Sequence, residues 1–153
     1  MKDRPIIVHG LKDAQAAVAA AADLGVPVTL RSAPGAARIL GATVFRDMIQ
    51  EARRPHPGVA VTAVFDCGED PGLALGALRH GLKVIRVTVS GEVRERIADI
   101  AAQSGARLEE DGRDGGDGAS AAGEPVLDLL DMEDSEAAVR SWLTEPGNTK
   151  ERR

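Results

Sequence analysis

The sequence predicts an α/β protein of three layers, helix, sheet and helix, around a parallel five-stranded sheet in the order 2-1-3-4-5, with a short C-terminal helix. Three observations carry that expectation. Short apolar runs alternate with helical patterns along most of the chain, which implies right-handed βαβ units. One run, Val59–Phe65, is apolar apart from Thr62, as in a strand covered on both faces. The other strand candidates are shorter, more polar or carry a proline, so that run belongs at the centre.

Pro5–Gly10 reads as the first strand. Lys12–Leu24 follows as a helix, with Ala14, Ala17, Val18, Ala21 and Leu24 at helical spacing and Gly25 at the stop. Val26–Arg31 is the second strand. Pro27 cannot donate to a ladder, so this strand is placed at a sheet edge. After Ser32–Ala37 a long helix runs to about Arg53, with a stripe of Leu40, Val44, Phe45, Met48 and Ile49. Two prolines and a glycine between Arg54 and Gly58 end it.

Val59–Phe65 is the third strand. Asp70-Pro71 then starts a helix to His80, with Asp at the N-cap and Pro at the first helical position. Leu82–Val89 is the fourth strand, and Ser90 caps a helix whose inner stripe is Val93, Ile97, Ile100 and Ala101. Ala106–Glu110 is a polar fifth strand, assigned to the other edge. Residues 1–111 thus form the α/β domain. Gly112–Gly123 is glycine-rich with little that could pack, and reads as a flexible loop. Residues 124–144 contain a short apolar segment, Val126–Leu130, a candidate sixth strand. They end in a helix, Ser135–Leu143, anchored by Trp142 and Leu143, and residues 145–153 form a frayed polar tail.

Composition narrows the function classes. Of the 153 residues 43% are hydrophobic but only 2% aromatic, so the core is aliphatic and offers no stacking platform for single-stranded nucleic acid. A net charge of -5 argues against general affinity for nucleic acid or anionic membranes. No signal-peptide or membrane-spanning pattern occurs, and the expected location is the cytoplasm. One cysteine makes no internal disulfide, and His9, His56 and His80 lack metal-ligand spacing, so neither a metal nor another cofactor is expected.

In the order 2-1-3-4-5 the strand sequence reverses between strands one and three, and ligands favour the crevice beyond the strand C-ends at that point. His9, Asp66 and Cys67 would line it and are the candidate catalytic set. Asp66 could accept a proton, although turn aspartates commonly bond only to backbone. Cys67 lies near a helix N-terminus, which lowers a thiol pKa, but Asp66, Glu69 and Asp70 oppose thiolate formation, so an inert thiol is expected. His9 is a candidate partner for either residue. The stronger signal is Arg31-Ser32-Ala33-Pro34-Gly35: a strand-end cation, a hydroxyl and a small-residue turn entering a helix, suited to a phosphate or carboxylate. Thr88 and Ser90 end the fourth strand on the same rim. An Arg31 engaged by an internal carboxylate would count against this site. No Gly-rich nucleotide-binding motif is present.

Three resemblances add to this reading. Val28–Gly35 and Phe65–Leu78 look like a group of small bacterial α/β proteins to which no activity attaches. Pro5–Arg31 resembles the start of the KDPG aldolase family, with its alanine-rich helix and its Val28-Thr29-Leu30-Arg31 strand. That likeness implies that Arg31 binds an anionic substrate, while Pro27 stands where the family's catalytic Glu would be. The size and alternation are similar to flavodoxin-like receiver domains, with Asp66 and Thr88 at the ends of strands three and four. His9-Gly10 and Glu110-Asp111 stand where receivers carry their acidic pair and their lysine. The sequence is therefore read as a binding domain for a small anion rather than an enzyme. The alternatives are a degenerate receiver-like interaction module that self-associates, and a small enzyme using Asp66, Cys67 and His9.

Overall fold

A computed structural model describes residues 4–109 and 125–144. Gly112–Gly123 and the tail at 145–153, assigned above from composition, lie outside the described residues.

The elements follow the expected alternation. They run β1 (Ile6–Val8), α1 (Leu11–Leu24), β2 (Val28–Ser32), a short 3-10 turn at Ala36–Arg38, α2 (Ala42–Arg53), β3 (Val61–Asp66), α3 (Pro71–Arg79), β4 (Val84–Arg86), α4 (Gly91–Gln103), β5 (Arg107–Leu108), β6 (Leu127–Asp128) and α5 (Ser135–Thr144). Local chemistry sets several of the boundaries. Asp70 caps α3 by accepting from Gly72 N at 2.8 Å and Leu73 N at 3.1 Å, with Pro71 behind it. Gly25 closes α1 at φ +67°, a left-handed conformation with little cost only to glycine. Ser90 precedes α4, but its side chain makes no capping bond.

The sheet is parallel and flanked by helices, as expected, but it has six strands rather than five. Its order is β5-β4-β3-β2-β1-β6, not 2-1-3-4-5. The placement of the second strand at an edge was wrong for a local reason. Pro27 precedes the strand, so its missing N–H falls outside the ladder, and Val28 N already donates to Ala60 O at 3.0 Å. With β2 free to pair on both sides, it sits between β1 and β3, matching Ile7 to Arg31 and Arg31 to Val64. The sixth strand takes the outer position beside β1, pairing Ile6 with Leu127. The central position of β3 holds.

In this order every right-handed crossover advances in the same direction, so α1 to α4 follow one another over one face of the sheet. Helix α5 joins the row against α1. Strand residues alternate between two environments. Ile6, Val8, Val28, Leu30, Phe65, Ile85, Val87 and Leu108 point into the core shared with the helices. Phe45 of α2 stacks on Phe65 of β3, with ring centroids 5.1 Å apart. Val64 and Val87 are buried, whereas Val61 and Ala63 are half-buried against the core. Val44, Val93 and Ile100, assigned to inner stripes, are exposed because Phe45, Ile49, Ile97 and Ala101 already fill those faces. No described helix is long and apolar enough to cross a membrane.

Candidate functional site

The other set of strand positions carries charge. Residues Ile7, Arg31, Val64 and Val84 share one register row, and Asp66 and Arg86 share the next. Glu109, whose backbone N–H donates to Ile85 O at 2.8 Å, extends that second row from the end of β5. The four charged side chains meet at the C-terminal ends of the strands. Glu109 bridges the two arginines: Arg31 Nη2 donates to Oε2 at 3.2 Å and Arg86 Nη1 to Oε1 at 2.8 Å. Arg86 Nε lies 3.7 Å from Asp66 Oδ2. The side chains of Arg31 and Glu109 are each only 10% exposed, so water screens this pair little.

Asp66 organises the turns below this cluster. Its Oδ1 accepts from Gly35 N at 3.0 Å and from Gly68 N at 2.9 Å. Two loops therefore close on one carboxylate. Gly68 holds φ +62°, which brings its N–H round to the carboxylate without the Cβ strain another residue would meet. The backbone N–H of Asp66 donates to Ser32 Oγ at 2.8 Å, and Ser32 is buried. Both Ser32 and Gly35 thus serve internal bonds. Thr88 is exposed on the rim, its N–H donating to Gly68 O at 2.7 Å, and Ser90 is exposed at the start of α4.

The turn that the sequence suggests for an outside anion is filled by the chain's own carboxylates. Asp66 takes the backbone donors, and Glu109 takes Arg31. Arg31 is thus buried and engaged by an internal carboxylate, which counts against the freely accessible rim cation read from the sequence. One donor is left over. Arg31 Nε is buried and has no hydrogen-bond acceptor among the described residues.

The expected catalytic set does not assemble. His9 turns away from Asp66 and Cys67 and pairs with Asp128 of β6, Nε2 to Oδ1 at 2.6 Å, while its backbone N–H donates to Asp13 at 2.8 Å. Partial burial works against ionisation of Asp128, but the Leu130 N–H and the His9 ring outweigh it and hold the carboxyl below its usual range. Cys67 is fully buried, with Sγ 3.8 Å from Phe65 O. Burial, reinforced by the charges of Asp66 and Asp70, pushes its thiol up to about 12, so a thiolate nucleophile does not form near neutral pH. Among the described residues no group of His, Cys, Asp and Glu could hold a metal ion.

The sequence reading missed Arg86, Glu109 and Asp128. A signal was there for Arg86: a single charge inside the apolar run Val84-Ile85-Arg86-Val87 must face away from the helices. Arg31 sits in the same way after Val28-Thr29-Leu30. Two such inward arginines need a carboxylate partner, and the residues ending the neighbouring strands are where to seek it.

Parallel strands in sequential order, with their helices in one row and polar residues at the strand C-ends, have the arrangement of a segment of a β/α barrel. No protein-family model matches the chain, and a search of curated proteins finds no match. Among solved structures it is similar to an assigned fructose-1,6-biphosphate aldolase from Coccidioides immitis, with a TM-score of 0.57 and 19% identity over 69% of this chain and 44% of that one. It is also similar to the YdjI aldolase of Escherichia coli K12, with a TM-score of 0.58 and 16% identity over 69% of this chain and 42% of that one. The chain spans less than half the length of these aldolases, and identities this low show the fold alone. The neighbours fit the aldolase resemblance of Pro5–Arg31 in part.

Proposed function

We propose that this domain binds a small anion, a carboxylate or a phosphate, at the strand C-ends beside Arg31 and Arg86, without catalysing a reaction on it. The observation that carries this reading is the buried Arg31 Nε with no acceptor among the described residues. A buried N–H donor left unpaired costs about 1–3 kcal/mol, which an arriving oxyanion would recover. The setting supports it: two guanidiniums share the bridging carboxylate of Glu109, and the strand C-ends are where β/α barrels place their ligands. The aldolase likeness adds support from fold alone and lends this chain no aldol chemistry. A single buried thiol suits a reducing compartment such as the cytoplasm.

Thermal denaturation in matched ionic strength, with chloride replaced by phosphate or acetate, tests the reading. The wild type should gain stability. Arg31→Lys keeps the charge but loses the fork, and should weaken anion binding by about 1.5–3 kcal/mol. Equal gains in both proteins would mean that the salts act on the surface at large, and the site would be abandoned.

A second reading, self-association, draws on the exposed apolar side chains Leu11, Ile39, Leu130 and Met132. Leu11 opens α1, and the others follow β2 and β6, so all four lie beyond the C-terminal ends of β1, β2 and β6, three neighbouring strands.

A further inference from the structure

Glu109 stands in the geometry a ligand carboxylate would adopt. Each of its oxygens takes one guanidinium nitrogen, at 3.2 Å from Arg31 and 2.8 Å from Arg86. It enters from the sheet edge. Among the described residues strand β5 is two residues long and is paired to the sheet through β4 alone. Its backbone is anchored by the bonds of Arg107 N to Lys83 O at 2.9 Å and Glu109 N to Ile85 O at 2.8 Å. Arg31 and Arg86, in contrast, rise from interior strands with partners on both sides. Two cations on interior strands are therefore bridged by a carboxylate at the end of a short edge strand.

Asp66 does not share this character. It sits on interior β3, its Oδ1 is committed to two backbone N–H groups, and it approaches Arg86 only at 3.7 Å. If the cluster has a removable member, geometry selects Glu109. The bridge also leaves Arg31 Nε without an acceptor among the described residues, so the internal carboxylate does not use all the donors of the fork. An outside carboxylate entering from the strand C-ends is not bound to the β5 backbone and can take the orientation that engages Nε as well.

We infer that Glu109 is an intramolecular stand-in for the ligand: it occupies the Arg31–Arg86 pair in the free protein and is expelled when a carboxylate-bearing small molecule binds. This rests on the anion-site reading above and adds to it a ligand class and a built-in competitor. The competitor would raise the concentration at which the ligand binds, because each binding event must first break the internal bridge. It would also keep the buried Arg31 from standing without a carboxylate when the site is empty.

The test follows two side-chain signals during acetate titration at constant ionic strength: the Arg31 Nε–H resonance and the Glu109 carboxyl carbon. In the wild type both should move with one midpoint, the Glu109 carbon toward the position of a solvated carboxylate. Glu109→Gln, which keeps the shape and removes the charge, should bind acetate about tenfold more tightly. Its melting temperature should be lower without acetate and rise more steeply with it. If Arg31 Nε–H responds while the Glu109 carbon stays still, or if Glu109→Gln binds no more tightly, displacement is overturned and the anion site stands. If Arg31 Nε–H responds in neither protein, the anion site itself falls. Should Glu109→Gln fail to fold, the wild-type carbon signal decides alone. A response to phosphate without one to acetate overturns the assignment of ligand class.

Discussion

Cys67 follows a charged residue and precedes a polar turn, yet it is fully buried. The carboxylates beside it were legible in the sequence, and they act in the expected direction. Burial, the larger cause, was not, because it depends on helices packed over β3 from elsewhere in the chain. The folded protein keeps the proton that the unfolded chain gives up near pH 8.5, the free-thiol value. Above that pH the unfolded state binds fewer protons, so stability falls as pH rises, by about 1.4 kcal/mol per unit until the folded thiol itself titrates. Denaturant midpoints between pH 8 and 10 should show this slope in the wild type, and Cys67→Ala should be flatter by the same amount. Parallel pH profiles would mean that the thiol is not as secluded as its position implies. Arg31 carries the complementary lesson: its cation was evident in sequence, but its partner Glu109 lies 78 residues away.

At the scale of elements, the βα alternation and the helix starts were legible because they follow from neighbours a few residues apart. Asp70-Pro71 is an example: cap, proline and helix lie in one short run. Strand order was not, since it is decided by which backbone edges meet. Placing Pro27 inside the second strand instead of before it was enough to send β2 to the wrong position. The C-terminal unit shows what the order makes possible. Strand β6 pairs with β1, and α5 packs on α1 through Val139, which is fully buried, with Arg140 reaching Asp23 at 2.8 Å. Trp142 completes the clasp. Its Nε1 donates to Arg4 O at 3.2 Å, and the Arg4 guanidinium lies 4.2 Å over its ring. Val139→Ala removes buried methyl groups and should cost about 2 kcal/mol. Trp142, the only tryptophan, supplies the fluorescence that reports it. An unchanged midpoint would show that α5 is not part of the cooperative unit.

For the molecule as a whole, the low aromatic content leaves an aliphatic core, and the net charge of -5 opposes close approach of two copies at low salt. Against this stands Ile39, 91% exposed between the 3-10 turn and α2, on the same end of the sheet as Leu11, Leu130 and Met132. If the domain self-associates through that end, sedimentation should show dimers whose population grows with salt as the charges are screened. Ile39→Lys should then return the protein to monomer without lowering its melting temperature. A wild type that stays monomeric at high concentration in both low and high salt would remove the self-association reading.

Sequential strand order has a consequence for how the chain finds its shape. From β1 to β5 each strand pairs with the one before it, so the ladder can grow by closing one short βαβ loop at a time, at small entropic cost for each step. The single exception joins Ile6 to Leu127, across most of the chain. That closure belongs late on the folding route, after the body has formed. An interaction made after the transition state slows unfolding without hastening folding. Stopped-flow traces of Val139→Ala should therefore keep the wild-type refolding limb and show a faster unfolding limb, so that the last strand pair to form governs how long the native state lasts.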